Sequence, residues 1–195
     1  MDSIDYYNKN AKNFFDRTIN ADVQDLYQKF LKHVPHQGRI LDAGCGVGRD
    51  SKFFLSKGYK VLAFDGSLEM VKLTSNLLGE DALHMLFQNM HFSSEFNAVW
   101  ANASLLHVPY EDLSAVIEGF QKALLPSGIL YASFKYGTSM RRTEDRIFFD
   151  MDEGNIEPYL NGLFAPLEIW KSADTRSTVA PSPDKSWLNF IARRI

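Results

Sequence analysis

The stretch ILDAGCGVGRD, residues 40–50, has a glycine at every second position directly after a short apolar run. Gly44, Gly46 and Gly48 leave the backbone bare between a predicted strand and a predicted helix. Glycine permits turns that other residues resist, and it lets a ligand approach the main chain closely. The stretch therefore predicts a ligand site at the end of the first strand, with Cys45 as a small spacer rather than a nucleophile.

Two nucleotide-binding patterns fail in this loop. The dinucleotide pattern G-x-G-x-x-G requires glycine where Arg49 stands, and no Gly-Lys-Ser/Thr of a P-loop follows. Asp42 would repel a pyrophosphate and attract a cation. Asp65, 17 positions after Gly48, ends the second predicted strand, where an acid can accept hydrogen bonds from ribose hydroxyls. A cationic amino-acid end and a nucleoside end together describe S-adenosylmethionine.

Predicted strands alternate with predicted helices along most of the chain. Helical patterns cover residues 4–34, 50–57, 68–78, 110–124 and 152–160, and strand patterns cover residues 39–41, 60–64, 82–87, 96–101, 129–134, 163–170 and 187–193. Residues 138–145 are predicted to form a polar loop. This order predicts an α/β unit with a mainly parallel sheet covered on both faces. Its ligand should bind at the carboxyl ends of the strands.

Composition excludes several classes of protein. The chain has 195 residues, so we expect one domain, with a helical lid in residues 1–34 and a core in residues 35–195. Its net charge of −3 gives no basic footprint for nucleic acid, and its one cysteine can form neither an internal disulfide nor a thiolate metal site. The chain has no pattern of a signal peptide and no apolar run of about 18 residues. We therefore expect a cytoplasmic protein that does not bind a membrane.

The chain resembles the class I S-adenosylmethionine-dependent methyltransferases from the end of the N-terminal helices onward. ILDAGCGVG matches their glycine motif, FNAVWANASLLHVP resembles their fourth-strand region, and LLPSGILYASF resembles the turn and fifth strand. The later segments SFKYG, DTRS and WLNFIARR are similar to small single-domain members of the type 11 and tellurite-resistance groups. The resemblance implies a Rossmann-like, seven-stranded mixed sheet with helices on both faces and an antiparallel last strand. It also implies S-adenosyl-L-methionine as cofactor and S-adenosyl-L-homocysteine as product.

The resemblance also assigns residues to the cofactor. Asp42 would hold the methionine amino group, Asp65 would bind the ribose, and Asn89 would replace the acid that the family uses for the adenine amino group. Arg49 has two interpretations, since it could approach the methionine carboxylate or pair with an acid such as Asp50. The full predicted set is Asp42, Gly44, Cys45, Gly46, Gly48, Arg49, Asp65, Gly66, Ser67, Gln88, Asn89, Met90 and Ala101.

A second group of residues is predicted on the acceptor side. His107 follows the fourth strand and is either a general base or a packing residue. Tyr7 lies in a segment that resembles a lid, where it either contacts the methionine end or belongs to the core. Predicted acceptor-binding residues are Lys135, Tyr136, Arg146 and Arg176. Their cations would suit a carboxylate or phosphate, although the arginines of residues 141–146 could instead pair with neighbouring acids in a solvated loop.

The favoured function is a metal-independent methyltransferase that acts on a small molecule, with an anionic acceptor as one open interpretation. Methyl transfer from a sulfonium is an in-line displacement that requires alignment of the reacting atoms and no covalent enzyme intermediate. The alternatives are aminopropyl transfer, methylation of RNA or another macromolecule, and a non-catalytic module that binds S-adenosylmethionine. A monomer or a homodimer is expected.

Overall fold

The computed structural model describes residues 3–143, 145–173 and 186–195. The helices in these residues are α1 (Ser3–Thr18), α2 (Gln24–Leu31), α3 (Arg49–Ser56), α4 (Leu68–Leu78), α5 (Tyr110–Ala123) and α6 (Glu153–Leu160). The strands are β1 (Arg39–Ala43), β2 (Lys60–Asp65), β3 (Leu83–His84), β4 (Phe96–Ala101), β5 (Leu124–Lys135), β6 (Met140–Arg142), β7 (Ile147–Phe149), β8 (Phe164–Ala173) and β9 (Ser186–Arg194).

Seven of these strands form one mixed sheet in the order β3-β2-β1-β4-β5-β9-β8. The pairs among β1 to β5 are parallel, whereas β9 runs antiparallel to both β5 and β8. The predicted fold class is confirmed, including the antiparallel last strand. The chain reverses direction across the sheet between β1 and β4, which is where a parallel sheet of this kind opens a crevice for ligands.

Alternation along the central strands builds a core on each face of the sheet, because successive side chains of a strand point to opposite sides. One face packs against α2 and α3 and contains Tyr27, Phe30, Ile40, Phe54, Trp100 and Tyr131. The other face packs against α5 and α6 and contains Leu41, Val99, Leu113, Ile117, Phe120, Leu130, Ile156 and Leu160. These two layers fix the carboxyl ends of the strands, and with them the loops that carry the site.

Four local predictions differ from the structure. The N-terminal helical segment is two helices, because the chain turns at residues 19–23 and the Asp22 carboxylate accepts the backbone N–H of Gln24 at 3.0 Å. The predicted third strand is reduced to Leu83–His84, since residues 87–89 form a 3₁₀ turn. The fifth strand begins at Leu124, five residues before its predicted start.

The fourth difference is the segment predicted as a polar loop. It contains a hairpin in which β6 pairs with β7 in antiparallel register, from Met140 with Phe149 to Arg142 with Ile147. Three-residue strands are too short to give a clear alternating pattern, so the hairpin depends on partners that the local sequence does not reveal. The division into a lid and a core stays a prediction.

Candidate functional site

A cavity of about 1070 Å³ lies at the carboxyl ends of the central strands. Its walls include the glycine loop after β1, the end of β2, the residues that follow β4 and one side of α1. Hairpin residues Arg141, Arg146, Ile147, Phe148 and Phe149 complete the wall opposite the loop. The volume is at the upper end of the range of about 300–1,000 Å³ for small-molecule pockets, so a nucleoside cofactor and a small second ligand could share it.

The glycine loop presents bare backbone to the cavity. Gly46 has φ +55°, and a Cβ placed there would find no heavy atom within 4 Å. Gly44 has φ +75°, and its Cβ would lie 2.4 Å from Cβ of Ser104. Gly44 is therefore required by packing, whereas Gly46 borders open space that a ligand could fill. Gly48, at φ +81°, is the N-cap residue of α3.

Cys45 lies between these glycines and is buried. Its Sγ donates to Oγ1 of Thr74 at 3.6 Å. Burial raises the pKa of the Cys45 thiol well above its ordinary value, so the thiol stays protonated. This environment agrees with the predicted role of a spacer.

Asp65 lies beside the loop at the end of β2. One carboxylate oxygen accepts the N–H of Gly46 at 2.9 Å, and the other accepts the N–H of Ser67 at 2.8 Å. Burial raises the pKa of the Asp65 carboxyl, an effect that these backbone hydrogen bonds oppose. Each oxygen of a carboxylate has a further lone pair, so Asp65 can still accept two hydroxyl groups of a ligand. Gly66 and Ser67 line the cavity with it.

Asp42 is not part of the cavity wall. Its carboxyl is 2% exposed and accepts a hydrogen bond from Oγ of Ser51 at 2.6 Å. Burial, followed by the negative charge of Asp50, raises the pKa of Asp42 to about 8. The carboxyl is thus neutral at pH 7, and direct contact with a cofactor ammonium stays a prediction.

Asp50, predicted only as an ion-pair partner of Arg49, is the acid that lines the cavity at the start of α3. Its carboxylate accepts hydrogen bonds from Tyr27 Oη at 2.6 Å, Arg49 Nε at 2.6 Å, Trp100 Nε1 at 2.8 Å and Asn102 Nδ2 at 3.1 Å. Burial raises its pKa, but the charge of Arg49 and these hydrogen bonds outweigh burial and lower the pKa. Asp50 therefore stays ionised. In the sequence, its position next to Arg49 was the feature that could have indicated a buried charged pair at the site.

At the opposite end of the cavity, the residues after β3 are only partly placed as predicted. Gln88 lines the cavity with Leu86 and Phe87, and its Nε2 donates to Oδ2 of Asp112 at 3.0 Å. Asn89 is exposed and lies outside the cavity wall. The predicted residues Met90 and Ala101 also lie outside it, packed within the apolar core.

Tyr7 and His107, both predicted on the acceptor side, meet at the cavity wall. The Tyr7 hydroxyl lies 2.9 Å from Nε2 of His107, and Nδ1 of His107 lies 2.8 Å from the carbonyl oxygen of Ile147. Tyr7 belongs to α1, His107 follows β4, and Ile147 belongs to β7. The structure thus brings together two of the predicted residues from opposite walls.

The predicted cations differ in their surroundings. The Arg146 guanidinium lies over the rings of Tyr6 at 4.2 Å and Phe148 at 5.0 Å, and its buried Nε has no hydrogen-bond partner among the described residues. Lys135 also lines the cavity, with Nζ 3.9 Å from the Trp187 ring centre. Both cations thus lie within cation–π distance of aromatic rings.

Two further residues have other partners. Arg141 pairs with Asp150 through two hydrogen bonds, as the ion-pair interpretation of this segment expects. Tyr136 is not part of the cavity wall, and its hydroxyl donates to Oε2 of Glu153 at 2.9 Å. Arg176, also predicted to bind the acceptor, lies outside the described residues.

The described part of the chain contains neither a metal-binding cluster nor a membrane-spanning helix. Within residues 3–143, 145–173 and 186–195, no three His, Cys, Asp or Glu side chains are grouped so that they could hold a metal ion. In the same residues, none of the helices has the length and apolar character that crossing a bilayer requires.

Comparison with known proteins agrees with this geometry. Residues 40–128 match the family described as a methyltransferase domain. YqeM of Bacillus subtilis (strain 168), whose name gives a methyltransferase and no substrate, is 30% identical over 152 residues, which are 71% of this chain and 60% of YqeM. A malonyl-[acyl-carrier protein] O-methyltransferase of Salmonella typhimurium is 28% identical over 95 residues, 47% of this chain and 36% of that protein. The chain thus spans about three fifths or less of these two relatives.

A solved structure extends the agreement to the whole fold. The 1,6-didemethyltoxoflavin-N1-methyltransferase of Burkholderia thailandensis, solved with 1,6-didemethyltoxoflavin and S-adenosylhomocysteine, has a TM-score of 0.75 and 20% identity. The match covers 98% of this chain and 84% of that one. The predicted resemblance is confirmed at the level of the fold: this chain has the fold of the class I S-adenosylmethionine-dependent methyltransferases, and its residues 40–128 match the methyltransferase-domain family.

Proposed function

We propose that this protein transfers a methyl group from S-adenosylmethionine to a small acceptor that carries an anionic group. The observation that carries the proposal is the open backbone at Gly46 beside the Asp65 carboxylate, both on the wall of one large cavity. An acid at the end of β2 and bare peptide at the end of β1 are the features that a ribose and its attached chain need.

The residues around the cavity fit such a cofactor. Asp65 would accept the ribose hydroxyls, and the apolar side chains of Leu86 and Phe87 would contact the base. The ionised Asp50 would place negative charge near the cationic end, with Asn102 bound to it. When bound, S-adenosylmethionine supplies an electrophilic methyl group on a positively charged sulfur. Helix α1 lines the cavity and, as the predicted lid, would exclude water, which favours alignment of the reacting atoms at about 3–3.5 Å.

Cations on the acceptor side support an anionic acceptor. Arg146 and Lys135 line the same cavity as Asp65, and the Nε of Arg146 is buried without a partner among the described residues. A buried donor of this kind gains most from a charged acceptor such as a carboxylate. Two similar proteins are named for small or carrier-bound acceptors, one with a malonyl group and one with a toxoflavin precursor.

Calorimetry with S-adenosylhomocysteine tests the cofactor. We expect measurable binding by the wild-type protein and about 100-fold weaker binding by Asp65→Ala, since two hydrogen bonds to a charged group contribute about 1.5–3 kcal/mol each. Asp81→Ala, which changes an exposed acid beyond α4, is the matched control. Absence of binding by the folded wild-type protein at millimolar ligand would refute the proposal.

Labelled methyl transfer tests the anionic acceptor. S-adenosylmethionine with a tritiated methyl group is incubated with the small-molecule fraction of a cell extract, and labelled products are separated by charge. We expect an acidic labelled acceptor whose yield falls at least 10-fold in Arg146→Gln but not in Arg142→Gln, an exposed arginine of the same hairpin. Equal yields from both variants would remove Arg146 from acceptor binding.

A further inference from the structure

We propose that Tyr7 and His107 form a proton relay, so that the methyl acceptor is a hydroxyl group of the enol or phenol type that must be deprotonated. This inference rests on the proposed function and names the atom that is methylated. Its physical basis is the hydrogen-bonded series Tyr7 Oη, His107 ring and Ile147 carbonyl oxygen, with distances of 2.9 Å and 2.8 Å.

The Ile147 carbonyl fixes the tautomer of His107. A carbonyl oxygen can only accept, so the ring nitrogen that faces it, Nδ1, must carry the hydrogen. In the neutral ring Nε2 is then the basic nitrogen, and it accepts from the Tyr7 hydroxyl. A histidine held in one tautomer by a backbone acceptor is arranged to take a proton at its other nitrogen.

Positive charge beside the pair selects the kind of acceptor. The Arg146 guanidinium lies 6.0 Å from the Tyr7 ring centre and 5.0 Å from the Phe148 ring centre, and the Phe148 ring lies 5.1 Å from that of His107. A cation at this position stabilises an oxyanion and disfavours an ammonium group. Because an amine gains positive charge when it is methylated, the surroundings favour an oxygen acceptor over a nitrogen acceptor.

The step balances without a further reactant. The acceptor hydroxyl gives its proton to Tyr7 Oη while the Tyr7 proton moves to His107 Nε2, which makes the ring an imidazolium. A C–O bond forms to the methyl group as the C–S bond breaks, so the sulfonium becomes a neutral thioether. The positive charge lost at sulfur is matched by the one gained at His107, which later releases its proton to water.

Two readouts test the relay. Nitrogen NMR of histidine-labelled protein with S-adenosylhomocysteine, assigned with His107→Gln, should show neutral His107 with its proton on Nδ1. With labelled S-adenosylmethionine and the small-molecule extract, we expect the label in a methyl ether of an enol or phenol and a rate at least about 100-fold lower in Tyr7→Phe and His107→Gln, within the 10²–10⁴ range of general-base catalysis. Both variants should bind S-adenosylhomocysteine as the wild type does.

Tyr59→Phe and His36→Gln are the matched controls, because both residues lie at the amino-terminal side of the sheet, away from the cavity. A proton on Nε2, a methyl group on nitrogen, sulfur, carbon or a carboxylate, or undiminished rates in both relay variants would overturn the relay while leaving the cofactor proposal intact. Binding of S-adenosylhomocysteine without any labelled product would refute methyl transfer itself, and the relay with it.

Discussion

At the scale of single residues, the glycines of the loop are needed for two different reasons, which are packing at Gly44 and ligand access at Gly46. Gly44, Gly46 and Gly79 all have left-handed φ, but only at Gly44 would a Cβ clash, whereas it would face open space at the other two. We expect Gly79→Ala to cost about 1–2 kcal/mol of unfolding free energy for the left-handed backbone. Gly44→Ala should cost a further 1–3 kcal/mol, approximately, for overpacking.

Gly46→Ala distinguishes the requirement for ligand access from the requirement for packing. Its unfolding free energy should resemble that of Gly79→Ala, because both have the same backbone strain and open space around the new Cβ. Its affinity for S-adenosylhomocysteine should fall at least 10-fold, whereas Gly79→Ala should bind normally. Urea denaturation and calorimetry on the same samples measure both quantities, and unchanged affinity in Gly46→Ala would place the cofactor elsewhere.

The raised pKa of Asp42 predicts a dependence of stability on pH. Between about pH 4 and pH 8 the folded protein holds the Asp42 proton, whereas the unfolded chain, with an ordinary pKa of 3.8, releases it. Unfolding therefore releases a proton in this range. The stabilisation from the protonated Asp42 is fully present below about pH 4, declines as pH rises and is lost above about pH 8. Asp42→Asn keeps an acceptor for Ser51 and should gain more than about 1 kcal/mol relative to the wild type between pH 5 and pH 9. A constant difference in urea denaturation across that range would contradict the raised pKa.

At the scale of secondary-structure elements, α1 joins the cavity wall to α4. Its Ala11 packs with Met70 of α4, and half-buried aromatic side chains of α1 pack around them. Polar contacts also hold the helix, among them the Asn8 carbonyl oxygen, which accepts from Ser67 Oγ at 2.7 Å and from the Glu69 N–H at 3.3 Å.

Asn8→Ala should therefore loosen α1 selectively. Loss of hydrogen bonds worth about 1 kcal/mol should speed amide hydrogen exchange in α1 by about 5-fold, with no change in α2. Asn10→Ala is the control on the same helix, since among the described residues the Asn10 amide donates to the Tyr6 carbonyl within α1 and to no other element. Equal exchange in the two variants would show that the contact to α4 does not hold α1.

The local sequence was sufficient to predict those strands and helices that are determined by their own residues and caps. The strand β2 and helix α4 follow from an apolar run that ends at Asp65 and from Ser67, whose Oγ caps Met70 N–H at 3.3 Å. The β6–β7 hairpin and the meeting of Tyr7 with His107 could not be predicted in this way. Tyr7 and His107 are 100 residues apart, and their contact depends on how α1 crosses the sheet.

At the scale of the whole molecule, Asp50 joins the site to the core. Its hydrogen-bond donors come from α2, α3, the end of β4 and the residue that follows β4. The carboxylate is therefore a common partner for a helix on one face of the sheet, a buried tryptophan and the cavity wall. The sequence predicted the glycine loop next to it but not this network, because Tyr27, Trp100 and Asn102 are distant along the chain.

Removing this carboxylate should destabilise the whole fold. Asp50→Ala leaves the partly buried Arg49 without its counter-charge and the buried donors of Tyr27 and Trp100 without an acceptor, and we expect a loss of about 3–5 kcal/mol of unfolding free energy, as for other broken buried ion pairs. Tyr27→Phe removes one donor and should cost only about 1 kcal/mol. Asp81→Ala should be neutral. Urea denaturation measures the unfolding free energy of the three variants. A small effect of Asp50→Ala would mean that the network positions cavity residues without stabilising the core.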